Sequence, residues 1–283
     1  MTAKRRCPRR TAVIAAAAVA VCALALAGFL LGLFGGRGGT HELRVLLYHN
    51  IISGEGGDEN NTPLADFKRD MQTLSEGGYH PVSVADLEAY VGQGAELPEN
   101  AVLIRFDDGY LSNYELAYPV LKEYGYKAVI FAIGVSVGHT TYKDTQTPII
   151  PHFTYEQARE MTESGLIEVQ SHTYDMHQVK PLDGENCRQG ILPMDGESDA
   201  DYAETLRADF AHSRAELESA TGQAVTALAY PYGLHGELTE DVLKQAGVTV
   251  TFIIEKGVNT LTEGVPQSLY NLKVSTVGSL AQG

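Results

Sequence analysis

Cysteine is scarce in this chain: three in 283 residues, and two of them, Cys7 and Cys22, fall within the first 22. Cys187 stands alone in everything that follows, so no internal disulfide can form there. Basic residues are also few. Lys4, Arg5, Arg6, Arg9 and Arg10 precede residue 34, which leaves 21 − 5 = 16 Lys+Arg after it. All 36 Asp+Glu lie there too, giving that part a formal charge of 16 − 36 = −20. Such a balance argues against nucleic-acid binding, which rests on Lys and Arg neutralising phosphates. There is no internal repeat. Low complexity is confined to an alanine-rich apolar run and a glycine-rich tether near the N-terminus.

Charge is missing altogether from residues 11–34, "TAVIAAAAVAVCALALAGFLLGLF". As a helix, a stretch of that length reaches about 36 Å at about 1.5 Å per residue, enough to cross a hydrocarbon core of about 30 Å. The expected organisation is a basic cytoplasmic tail over 1–10, a signal anchor over 11–34, a flexible linker over 35–42 and one large domain over 43–283. The basic flank places the bulk of the chain outside the cytoplasm, as a single-pass membrane protein. Cleavage after Ala27 is the rival. The apolar run continues through Phe34, longer than a signal peptide needs, and so favours the anchor.

Beyond the linker, short apolar runs alternate with helical patterns. Strands are expected over 43–49, 101–106, 127–133, 166–171, 225–230 and 248–254. Helices are expected over 63–79, 83–91, 112–125, 154–165, 202–222 and 238–247. Pro119 should kink or break its helix, and Thr154 with Gln157 forms a capping-box pattern. The alternation predicts an α/β fold with a parallel sheet and crossover helices. Four polar stretches then fall at carboxyl ends of strands: "YHN" after the first, "DDGY" after the second, "HTYDMH" and "YPYG" after later ones. That end carries the active site in barrels of this kind.

His172 and His177 stand five apart, about 140° around a regular helix, so they converge only in a turn leaving the strand. Asp107 and Asp108 are adjacent carboxylates that repel unless a cation lies near; one can hold a metal while the other stays free as a general base. Two histidines and a carboxylate also suit non-haem iron, but that chemistry does not explain the second aspartate. "AYPYG" reads as a rigid turn, able to aim a backbone N–H at a developing oxyanion.

Together these stretches resemble the polysaccharide deacetylase (NodB-homology) family of carbohydrate esterases. "FDDGY" resembles its first motif, "SHTYDMH" its histidine motif in the longer-spaced form of the poly-N-acetylglucosamine deacetylase branch, and "LAYPYG" its third. The resemblance implies a distorted (β/α)-barrel, usually of seven strands, here behind the N-terminal transmembrane helix. It implies metal ligation by Asp108, His172 and His177, with zinc as the expected ion, Asp107 as general base, and the backbone N–H of Tyr232 as oxyanion donor. The implied reaction removes N-acetyl groups from a cell-wall or extracellular glycan and releases acetate. The expected partners are that glycan and, through the N-terminal helix, the membrane; no protein partner is indicated.

Three departures stand out. Many members carry an arginine at the position of Ala229 that orients the catalytic aspartate. A terminal Leu-x-His supplies the acid in many members, whereas "YNLKVSTV" (270–277) has no histidine. An insert follows the second histidine over 178–201. His49, after the first strand, is the expected replacement acid. His80, His139, His152 and His235 receive no role. The lost arginine and histidine motivate an alternative, a catalytically weak glycan-binding protein on the same fold.

Overall fold

The computed structural model describes residues 38–276. The expected anchor over 11–34 lies outside them; among the described residues no helix is long and apolar enough to cross a membrane. β1 (Thr40–Tyr48) leads into a short pair, β2 (Asn50–Ile52) and β3 (Asn61–Pro63). There follow α1 (Leu64–Glu76), β4 (His80–Pro81), α2 (Val84–Gln93), β5 (Ala101–Phe106), α3 (Tyr118–Tyr124), β6 (Ala128–Ala132), α4 (Tyr155–Glu163) and β7 (Ile167–Ser171). The chain continues through α5 (Lys180–Asp183), α6 (Asp199–Thr221), β8 (Ala227–Ala229), α7 (Glu237–Gln245), β9 (Val250–Lys256), β10 (Asn259–Thr262) and β11 (Leu272–Val274).

The sheet runs β10-β1-β5-β6-β7-β8-β9-β11, with β4 beside β5. β10 is antiparallel to β1. The other neighbours on this path are parallel. The ends meet where Leu46 bridges Ser275 and the Ser275 N–H donates to Val45 O at 2.7 Å. Of the eight strands on the path, setting β10 aside leaves seven parallel strands, β1, β5, β6, β7, β8, β9 and β11, around a nearly closed barrel. It is distorted: β7 and β8 pair only at Ser171 and Leu228, and the register slips between β9 and β11.

Burial explains the strand sequences. β5 and β6 are buried at every position, as strands covered on both faces must be. Alternation then sorts side chains. Val102, Ile104 and Phe106 face outward to the helices, joining Phe67, Met71 and Leu74 of α1. Leu103, Val129, Phe131 and Phe252 face inward. By the same period of two, Arg105 and Asp107 lie on the inward side with Leu103. Tyr48, Phe67 and Phe106 form an aromatic triangle, with centroids 5.1–5.7 Å apart, pinning α1 beneath the ends of β1 and β5.

The break at Pro119 takes a specific form. Residues Asn113–Ala117 make a π-turn, with the Tyr118 N–H reaching back to Asn113 O, before α3 starts. Proline has no N–H to give, and the wider turn absorbs the loss. The capping box at α4 forms as the sequence predicts, with Thr154 Oγ1 accepting from Gln157 N and Gln157 Oε1 accepting from Thr154 N.

Candidate metal centre and active site

The barrel mouth is built where strands end in backbone that an ordinary residue rarely adopts. After β5, Asp108 and Gly109 have φ of 71° and 81°. A Cβ on Gly109 would lie 3.2 Å from Ala132 Cα and Cβ, so the turn needs glycine there. Thr173 (φ 71°) and Tyr232 (φ 58°) repeat the left-handed conformation after β7 and β8. Such strain persists only where surrounding structure over-determines it, and it clusters at functional sites.

These turns bring Asp108, His172 and His177 together, with one ligand atom from each within 4.8 Å of the others. Asp108 Oδ1 lies 3.5 Å from His172 Nε2 and 3.6 Å from His177 Nε2. That oxygen is buried and has no hydrogen-bond partner among the described residues. The tautomer of His172 decides what this means. Its Nδ1 is 2.8 Å from Ala229 O, an acceptor only, so Nδ1 carries the proton. Burial pushes the His172 imidazolium down to about 4, so the ring is neutral near pH 7 and Nε2 is a bare lone pair. A lone pair and an orphaned carboxylate oxygen then face each other across 3.5 Å. Two acceptors in that relation repel unless a cation lies between them. The donor set of two imidazoles and one carboxylate suits zinc and leaves coordination positions open.

Asp107 is 2% exposed and points into the barrel beside this cluster. Arg105 donates from Nε to one carboxylate oxygen at 2.7 Å and from a terminal nitrogen to the other at 2.5 Å. Its other terminal nitrogen donates to Ile253 O at 2.9 Å. The guanidinium lies between Phe131 and Phe252, 5.5 and 5.3 Å from the ring centroids. Burial works against ionisation of Asp107, but the charge of the adjacent Arg105 guanidinium and its two hydrogen bonds outweigh it, so the carboxyl is held below its usual range. The arginine absent at Ala229 is thus matched by Arg105, near the end of the strand that leads into Asp107. Sequence reading passed over it, although a single charge inside the apolar run "AVLIRF" was a signal.

His49 follows β1, which is tied to β5 where the Asp107 N–H donates to Tyr48 O at 3.0 Å. Its Nδ1 is buried without a hydrogen-bond partner among the described residues, and the ring lies near enough to Asp107 to act on its carboxyl. Tyr232 packs its ring on His177, centroids 4.4 Å apart, and its hydroxyl donates to Gln178 O at 2.8 Å. A Cβ on Gly233 would lie 2.5 Å from Ile254 Cγ1, which fixes this turn against β9. The insert is folded back here: Arg188 is 6% exposed and paired with Glu197 at 2.7 Å. His152, given no role from sequence, packs at a tilt against Tyr110, centroids 5.0 Å apart, and lies near the Asp108 carboxylate; burial lowers it to about 4. Asp175 ion-pairs with Lys143 at 2.6 Å.

Known proteins share this arrangement of chain. The polysaccharide deacetylase family model matches residues 94–251. YxkH of Bacillus subtilis (strain 168) is 31% identical over 234 residues, 83% of this chain and 72% of that protein. The poly-beta-1,6-N-acetyl-D-glucosamine N-deacetylase of Escherichia coli K12 is 29% identical over 231 residues, 74% of this chain. The match spans only 33% of that longer relative. Among solved structures, IcaB from Ammonifex degensii aligns with a TM-score of 0.68 at 28% identity, over 87% of this chain and 95% of that one. A de-N-acetylase from Aggregatibacter actinomycetemcomitans aligns at 0.67 and 25%, over 83% and 94%.

Proposed function

This chain belongs to the polysaccharide deacetylase family, and from that premise we propose that it is a zinc-dependent hydrolase that removes N-acetyl groups from an extracytoplasmic glycan. The observation that carries the reading is the orphaned Asp108 Oδ1, set between two imidazole nitrogens with the ion-paired Asp107 alongside. Asp108, His172 and His177 hold the metal, which when bound lowers the pKa of water and polarises an amide carbonyl. The rest is the work of the chain. Asp107, kept ionised by Arg105, takes the proton from the attacking water. The backbone N–H of Tyr232 donates to the oxyanion. His49 gives a proton to the departing amine, the role left open by the missing terminal histidine. Acetate and a free amine result.

The glycan favoured is a poly-N-acetylglucosamine. The five-residue spacing of the histidines and the similarity to the Escherichia coli deacetylase and to IcaB support it; peptidoglycan is the competing substrate. The charge-free run over 11–34 supports a membrane-anchored location. The glycan-binding alternative loses one of its two motives, since Asp107 has its arginine. The test is acetate release by the full chain in detergent from poly-β-1,6-N-acetylglucosamine oligomers and, separately, from purified peptidoglycan. Release from the first supports the reading. Release only from peptidoglycan changes the substrate, and release from neither, with zinc bound, contradicts it.

A further inference from the structure

The two histidines stand five apart in sequence, and only the turn between them brings their rings to one point. That turn is held from two sides. Its carbonyls accept from the loop after β6: the Gly134 N–H donates to Thr173 O at 3.0 Å and the Val135 N–H to Tyr174 O at 2.9 Å. Its amides face α6. The Tyr174 N–H donates to one carboxylate oxygen of Asp209 at 2.8 Å, and the Asp175 N–H to the other at 2.7 Å. Two consecutive backbone donors thus end on one side chain, 35 and 34 residues away. The same face of α6 adds His212, whose ring stacks on Tyr174 at 3.7 Å and 12°, and Ser213, whose hydroxyl meets that of Ser171 at 2.8 Å. Ser171 Oγ accepts from the Thr173 N–H at 3.1 Å.

We propose that Asp209 is a positioning residue for the metal centre: it sets the 172–177 turn before metal arrives, so that His172 and His177 converge without reorganisation. This rests on the metal reading above. Neither histidine touches Asp209; it acts only through the two amides. These two amides are half-buried, and without the carboxylate they have no protein partner on the helix side, so the turn loses both bonds that tie it to α6. Groups that orient metal ligands from behind commonly change metal affinity by about 10- to 100-fold when removed.

The experiment titrates zinc into the full chain in competition with a chromophoric chelator. Asp209→Asn keeps the shape but turns one oxygen into an amino group facing an N–H donor. Its zinc Kd should rise about 10- to 100-fold, with secondary structure by circular dichroism retained. Glu204→Gln, on the same helix and exposed, should leave Kd within about twofold. Equal zinc affinity in Asp209→Asn and wild type overturns the inference while leaving the metal site standing. No zinc binding by the wild type overturns both. A second measurement needs no variant. In the metal-free wild type the amides of Tyr174 and Asp175 should already resist hydrogen exchange. Free exchange there, with protection only after zinc is added, means the metal and not Asp209 shapes the turn.

Discussion

Replacing Arg105 with methionine removes the cation from a pair in which both partners are buried, at 0% and 2% exposure. Methionine keeps an apolar stem between Phe131 and Phe252, but Asp107 loses both of its guanidinium hydrogen bonds. Breaking one side of a buried pair typically costs about 3–5 kcal/mol, because a charge is left without compensation. Removing both charges, in Arg105→Met with Asp107→Asn, should recover much of that loss. Urea unfolding of the four proteins then gives a coupling of at least about 2 kcal/mol. A second readout is the pH profile of kcat/KM. In the wild type the folded Asp107 carboxyl lies below its usual range. The pair's stabilisation is therefore present above the unfolded value of about 3.9 and is lost as pH falls through the lower folded value. Without Arg105, the burial that works against ionisation of Asp107 has no adjacent guanidinium to oppose it, and the acid limb moves up in pH. A coupling below about 0.5 kcal/mol, with an unmoved acid limb, refutes the reading of Arg105 as the residue that keeps Asp107 ionised.

Other expectations follow from the same geometry. His49→Ala should lower kcat at saturating substrate by about 10²- to 10⁴-fold, as for loss of a general acid, and unchanged kcat removes that role. His172 and His152 are both buried and lowered to about 4. Both are neutral in the fold but charged in the unfolded chain below about 6.5. The metal-free protein should therefore lose stability as pH falls from about 6.5 to about 4, at up to about 1.4 kcal/mol per pH unit for each ring. His152→Phe should flatten the fall in urea stability over that window, and an unchanged slope argues against a buried neutral His152. Phe67→Ala empties the aromatic triangle beneath β1 and β5 and should cost about 3–5 kcal/mol, read as a lower urea midpoint.

Much of the barrel was legible because its signals are local. β5 was read to the residue from an apolar run bounded by polar turns, and the α4 capping box from Thr154 and Gln157. The Pro119 break was expected, though its form as a π-turn was not, since proline dictates what is lost rather than how the backbone recovers. β10 and β11 were missed as strands. They are four and three residues long, and pairing across the barrel rather than local pattern makes them strands. At the site, Asp107, Asp108, His172 and His177 were visible as motifs. Arg105 was not, because its role depends on the inward side of β5, which is known only once the barrel closes. Asp209 was hidden more deeply. It is one acid among several on α6, and only the packing of that helix distinguishes it.

The most direct test of the metal-centred reading separates ligand from base in the full chain. Zinc content and acetate release from N-acetylglucosamine oligomers are measured for the stripped and zinc-reloaded wild type, for Asp107→Asn and for His172→Ala. The expected result is one zinc per chain and zinc-dependent release for the wild type. Asp107→Asn should keep its zinc without release, and His172→Ala should lose both. Release that survives metal removal, or undiminished release by Asp107→Asn, contradicts the site as assigned.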